Sequence, residues 1–189
     1  MSETTPNNNT ITNNNERKRK LTWDRNLEYD IFLPRLLKTL PKLKGNGKCY
    51  CSIAILQLTN GMRAREAVAA FQYFLKTGNR KFETKVLKQK HEKTRPVKIP
   101  DEINNDVRAD CYDLAFMDTK KLRDRYRMWL YKTFKVNSHS LRYAFISKMA
   151  ELGLSPMVIA RITGHSELRY LITYTHKKLG EKALDLLNI

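Results

Sequence analysis

The sequence is short of glycine, cysteine and negative charge. Its seven glycines lie scattered over 189 residues. None belongs to the glycine-rich, lysine-ended loop that cradles nucleotide phosphates, so nucleotide-driven chemistry has no visible carrier. Three cysteines, an odd number without paired spacing, argue against a disulfide framework and fit a reducing compartment. Cys49, Cys51 and the distant Cys111 lack zinc-type spacing, and no carboxylates cluster at metal spacing, so neither metal nor other cofactor is expected. No apolar run reaches the roughly 18 residues that a membrane span needs. The opening stretch, MSETTPNNNTITNNNERKRK, has no apolar segment of secretory type. Acidic side chains number 19 against 36 lysines and arginines, a formal charge of +17. A folded chain this basic meets a polyanion, and nucleic acid comes first. That narrows the partner and leaves the chemistry open, since ribosomal proteins and nucleases share such a charge.

What is present suffices for a core, with 41% of residues hydrophobic. Residues 1–20 are Asn- and Thr-rich and end in Arg17-Lys18-Arg19-Lys20, which predicts a disordered basic tail. Residues 21–189 read as a single domain. Apolar residues recur at helical spacing from Trp23 to Leu40, with Pro34 and Pro41 predicted to break the stretch. Gly45-Asn46-Gly47 reads as a turn. Helices follow from Tyr50 to Leu58, stopped by Asn60-Gly61, and from Arg65 to Leu75, stopped by Gly78-Asn79. Between 80 and 100, Phe82, Val86, Val97 and Ile99 alternate loosely among charges, as in a β-hairpin whose turn is Lys90-His91-Glu92-Lys93-Thr94. Amphipathic helices are predicted over 102–118 and 119–135, the second carrying Lys120, Lys121, Arg123, Arg125 and Arg127. Ser138 opens a helix that Gly153 ends. Ser155-Pro156 opens another that stops at Gly164. A final pair covers about 167–178 and 181–188. The fold class is mainly α with a small antiparallel β-hairpin, α+β.

Four short stretches carry candidate chemistry. Gly61-Met62-Arg63 with Glu66 puts an arginine at a helix start, a good place for a phosphate. His139 and Arg142 stand three apart on one helix face, able to share one anionic group. His165 follows Gly164 just past a helix end. Tyr170 and Tyr174 stand one helical turn apart.

In this order the four stretches resemble the catalytic domain of the tyrosine recombinases, the phage-type integrases and their relatives. The resemblance rests on Gly61-Met62-Arg63-x-x-Glu66, His139-Ser140-Leu141-Arg142, Gly164-His165, and Tyr174 nine positions after His165. It covers about residues 50–178. It implies site-specific DNA cleavage and rejoining through a 3′-phosphotyrosyl link, as in integration of a viral or plasmid element, with neither metal nor ATP. The implied roles are Tyr174 as nucleophile, His139 as general base, Arg63, Arg142 and His165 as binders of the phosphate oxygens, and a hairpin lysine as acid to the leaving oxygen. Lys90 is the first choice for that lysine and Lys93 the second. Arg65 rivals Arg63, and Tyr170 rivals Tyr174. Lys93, Arg95, Lys120, Arg123 and Arg127 are expected to touch the backbone of double-stranded DNA. The resemblance also implies assembly of identical copies on DNA, dimer or tetramer, through segment 181–189, in the host cytoplasm. About 30 residues precede the catalytic core after the tail, too few for the family's usual N-terminal clamp domain. Two competing readings remain. One is a non-catalytic DNA-binding protein, or a degenerate recombinase kept for binding, with 145–165 as a helix-turn-helix. The other is a type IB topoisomerase or telomere resolvase, which use the same residues.

Overall fold

The structure, a computed structural model, describes residues 27–86, 94–169, 171, 172 and 180. Its elements are α1 (Tyr29–Thr39), a short 3-10 turn (Leu40–Lys42), α2 (Gly45–Asn60), α3 (Ala64–Thr77), β1 (Lys81–Lys85) and β2 (Thr94–Lys98). There follow α4 (Asn105–Asp110), a 3-10 segment (Tyr112–Phe116), α5 (Thr119–Phe134), α6 (Ser138–Glu151) and α7 (Pro156–Thr163). The predicted basic tail 1–20 and the segment 181–189 lie outside the described residues.

α2 is the axis of the bundle. Its residues from Cys49 to Leu58 are all buried, as expected of a helix apolar on every side. α1, α3, α5 and α6 pack around it. The main core joins Leu36, Ile53, Leu56, Phe71, Phe74, Leu122, Tyr126 and Leu141. A smaller cluster of Ile146, Ala150, Ile159, Ala160 and Leu171 seats α7 and the start of the following segment on α6. Two buried amides tie the helices internally. Gln57 donates to the carbonyls of Met62 (3.0 Å) and Ser138 (2.7 Å) and accepts from the Tyr126 hydroxyl (2.6 Å). Gln72 does the same for Leu114 and Met117 and accepts from Thr119.

β1 and β2 pair antiparallel, with Phe82 opposite Val97 and Thr84 opposite Arg95. Along β2, Arg95 and Val97 are buried while Thr94, Pro96 and Lys98 are exposed. A strand alternates faces with a period of two, so Arg95 shares the inward face with Val97. The hairpin lies against α7, where Val86 packs on Gly164.

Several expectations are corrected. Gly45-Asn46-Gly47 is the first turn of α2, entered through Gly45 at φ +53°. Pro34 sits inside α1 without breaking it. Proline forfeits one helical hydrogen bond there, and burial of Phe32 and Leu36 on either side holds the helix together. Residues 102–118 form a six-residue helix and a 3-10 segment, not one long helix. Asn137 rather than Ser138 caps α6, its side chain accepting from the His139 amide at 3.0 Å. Against the expectation from cysteine number, Cys49 and Cys111 form a disulfide, and Cys51 is the buried free thiol. The pair is 62 positions apart, and only the packing of α4 on α2 brings it together.

Two left-handed glycines separate strain from space. Gly61 (φ +59°) ends α2, and a Cβ there would run into the Phe145 ring. Gly153 (φ +79°) has nothing within 4 Å of the same added atom. Gly153→Ala is expected to cost only backbone strain, about 1 kcal/mol. Gly61→Ala adds overpacking, about 3 kcal/mol in all, and lowers the melting temperature by roughly 10 °C. Thermal melts of the two variants check this; equal shifts would mean that Phe145 gives way freely.

Candidate active site

The site is built where two helices end. α2 terminates at Asn60 and α7 at Thr163, each followed by a glycine in the left-handed conformation, Gly61 (φ +59°) and Gly164 (φ +70°). A helix C-terminus leaves carbonyls without intrahelical partners and carries partial negative charge. Here those carbonyls face guanidinium groups. Arg142 Nη1 donates to Gly61 O and to Thr163 O, both at 2.8 Å. Arg95 Nη1 donates to Thr163 O at 3.1 Å, and its Nη2 donates to Asn60 O.

Glu66 sits among these groups with 1% of its surface exposed. It takes the backbone N–H of Arg63 (3.1 Å) and the Arg63 guanidinium (2.9 Å), closing the first turn of α3 with the glutamate half of a capping box. Oε2, the oxygen that takes the Arg63 N–H, also lies 3.4 Å from Arg95 Nη1 and 4.0 Å from Arg142 Nη1. One carboxylate therefore faces three arginines. Arg63 is the outermost of them, 31% exposed at the side chain against 2% for Arg142 and none for Arg95. Its rival Arg65 is exposed, one residue into α3 and without a share of this carboxylate among the bonds described.

The two histidines complete the group. Arg142 Nη2 lies 3.0 Å from His165 Nε2. The Thr163 hydroxyl has one proton; given to the Ile159 carbonyl at 2.6 Å, it leaves the oxygen to accept from His165 Nδ1–H, also at 2.6 Å. In that tautomer Nε2 carries the lone pair, and Arg142 Nη2, 3.2 Å from Nδ1 as well, lies against the ring. Burial, then Arg142, Arg63 and Arg95, push the His165 imidazole down to about 3. His139 stands at the start of α6, exposed, with its ring edge-on to Tyr143 at 5.0 Å. Partial burial, then Arg142 and Arg63, hold it below the ordinary 6.5. Both histidines are neutral at pH 7, the form a general base requires. Burial, then Arg63, likewise lowers Arg142 to about 9, and burial lowers Arg95 to about 10 despite Glu66.

The sequence placed Arg63, His139, Arg142 and His165 in one site, and the fold brings them together. Lys90, Lys93, Tyr170 and Tyr174 lie outside the described residues. Arg95 is corrected: it is buried at 0% exposure and cannot touch DNA from the surface. Val97 and Ile99 are apolar at the same parity, a signal that already placed Arg95 on the inner face. Lys120 and Arg127 are exposed on α5, and Arg123 is paired with Asp124 at 2.7 Å. Glu66 was read as part of a motif and given no role. Gln57 was missed; it joins the carbonyl before Arg63 to the one before His139, and a single amide in an apolar helix gives no such sign.

The phage integrase family pattern matches residues 33–181. A protein of the Acidianus two-tailed virus, named as an integrase, is 38% identical over 165 residues, covering 85% of this chain and 67% of its own length. An uncharacterised protein of Methanocaldococcus jannaschii is 28% identical over 200 residues, covering 89% and 90%. Among solved structures, the XerH site-specific recombinase bound to its difH substrate before cleavage superposes with a TM-score of 0.53 at 21% identity. The match covers 85% of this chain and 53% of the recombinase, so the chain spans about half the length of that structural neighbour. With its family pattern over most of its length and the arginine–histidine cluster in place, the chain belongs to the phage integrase family of tyrosine recombinases.

Proposed function

We propose that this protein cuts and rejoins double-stranded DNA at a specific site through a 3′-phosphotyrosyl intermediate, in the integration of a mobile element. The observation that carries the reading is the gathering of Arg63 and Arg142 at Glu66, with His165 against Arg142 and His139 in the field of both arginines. Two cations and two neutral imidazoles in one place suit a phosphodiester that gains negative charge as it is attacked. The Tyr174 oxygen forms a bond to phosphorus and its proton passes to His139. A tyrosine, with an ordinary pKa of about 10, needs that help at neutral pH. Arg63, the outermost guanidinium, binds a nonbridging oxygen. Arg142 adds its buried charge, and His165, on taking up a proton at Nε2 beside the phosphate, adds a hydrogen bond. The P–O5′ bond breaks and the leaving oxygen takes a proton from Lys90 or, failing it, Lys93. Attack by another 5′-hydroxyl reverses the steps and exchanges strands. The chemistry draws on neither metal nor ATP.

DNA is the partner, with Lys120, Arg127 and the hairpin lysines on its phosphates, and copies of the chain assemble on it through 181–189. The name of the Acidianus virus relative and the DNA-bound neighbour support this reading. The helix-turn-helix alternative is less well supported: α7 exposes Met157 and Val158, and its last carbonyl is committed to two arginines.

Covalent trapping tests the proposal. Protein is mixed in EDTA with a fragmented DNA library containing nicked duplexes, then quenched in SDS. The expected result is DNA held covalently by the wild type and lost in Tyr174→Phe, with the attached ends reporting the site. A bond that survives Tyr174→Phe and vanishes in Tyr170→Phe moves the nucleophile by one turn; no bond in any sample removes the proposal. The histidines give a second prediction. A bound phosphate opposes the arginine field, so the His165 midpoint rises from about 3 in the free protein. A group with a higher midpoint in the complex takes up a proton on binding, so affinity strengthens as pH falls through the bound-state value toward the free one. Histidine NMR titration with and without a DNA duplex checks it, and an unchanged His165 midpoint would show that no phosphate lies beside it.

A further inference from the structure

Arg95 is an expensive residue where it stands. Its guanidinium is fully buried, it shares one carboxylate with two other arginines, and its Nε has no hydrogen-bond partner among the described residues. Burying a charge with an unmatched donor is a poor way to gain stability. Its contacts, however, come from three directions. From β2 it reaches the last turn of α2 (Asn60 O), the last turn of α7 (Thr163 O) and, on α3, Glu66. The first and second of these neighbours also lie beside Arg142, which takes Thr163 O and Gly61 O. Among the described residues of the hairpin, Arg95 grips the atoms that the arginine cluster also holds, Thr163 O and Glu66 Oε2.

A second tie acts on the same strand. Asn60 donates through Nδ2 to Lys98 O and accepts through Oδ1 from Lys98 N, both at 3.0 Å. β2 is thus pinned at 95 and at 98 to the end of α2. The opposite strand enters beside α7, with Val86 on Gly164. Between Val86 and Thr94 the hairpin carries Lys88, Lys90 and Lys93.

We propose that Arg95, with Asn60, is a positioning residue that fixes the hairpin against the arginine cluster and so sets where the hairpin lysine meets the leaving 5′-oxygen. This rests on the reading that a hairpin lysine is the acid. A planar guanidinium with a fork of donors fixes direction as well as charge, which a lysine cannot do. The role predicts a defect confined to leaving-group departure. In the normal step the Tyr174 O–P bond forms, the P–O5′ bond breaks and the 5′-oxygen gains the lysine proton. An alkoxide, with a conjugate acid near that of water at ~15.7, leaves poorly without that proton. If sulfur replaces the 5′ bridging oxygen, the P–S bond breaks and the thiolate, with a conjugate acid near ~8.5, leaves unprotonated.

The experiment uses the full chain and two synthetic duplexes carrying the cleavage sequence recovered by covalent trapping, one with O5′ and one with S5′ at the cut. Wild type, Lys90→Ala/Lys93→Ala, Arg95→Lys, Arg95→Met and Asn60→Ala are compared, with thermal melts to confirm folding. On the oxygen duplex the lysine, Arg95 and Asn60 variants are expected to cut on the order of 10²-fold slower than wild type. On the sulfur duplex each is expected to return to within about threefold of wild type. If Arg95→Met does not fold, Arg95→Lys, which keeps the charge, and Asn60→Ala, which leaves Arg95 untouched, carry the test. Arg95 and Asn60 variants that stay slow on sulfur while the lysine variant recovers overturn the inference alone, as do variants that cut both duplexes at the wild-type rate. A lysine variant that stays slow on sulfur removes the acid reading and the inference with it.

Discussion

One buried carboxylate faces three guanidinium groups, and the geometry of the site follows from that imbalance. Glu66 holds Arg63 through two hydrogen bonds and stands beside Arg95 and Arg142. Three positive charges around one negative charge would not stay buried on that account alone. The remainder is offset by backbone. The final carbonyls of α2 and α7 point at Arg95 and Arg142, and each helix turns away immediately through a left-handed glycine. The excess positive charge that this leaves is the property a phosphodiester needs in its transition state. Burial first, and this charge second, hold the two histidines neutral at pH 7.

The scaffold serves this convergence. α2 is buried from Cys49 to Leu58, so its C-terminal end is fixed by the core. α6 is tied to the Arg63 turn by Gln57, which bridges Met62 and Ser138. α7 is seated on α6 by Ile159 and Ala160, which sets the place of Thr163 and His165. The disulfide between Cys49 and Cys111 closes a loop of chain that includes Arg63, Glu66 and Arg95.

Much of this was legible in the residues. Helix ends at Asn60-Gly61, Gly78, Ser155-Pro156 and Gly164 could be read because each depends on local backbone chemistry. The hairpin could be read from alternation, and the four site residues from motif order. Long-range features could not. A disulfide across 62 positions leaves no local trace. The first turn of α2 contains two glycines that locally favour a turn, and the core on the rest of the helix overrides them. Arg95 was misread because its charge outweighed its parity; Val97 and Ile99 on the same face were the better guide. Glu66 stood in the motif from the start, but its role depends on Arg95 and Arg142, which only the fold brings to it.

The claim that Glu66 holds the arginine cluster together is tested most directly by a melting comparison of Glu66→Gln with Glu66→Gln/Arg95→Met. Removing the carboxylate's charge leaves three buried or half-buried cations facing one another, so Glu66→Gln should lose about 3 kcal/mol, a drop of roughly 10 °C. Removing one of those cations as well should restore part of the loss, because the two sites are directly coupled. A Glu66→Gln protein that melts with the wild type, or a double variant that melts no higher than Glu66→Gln, would contradict the account.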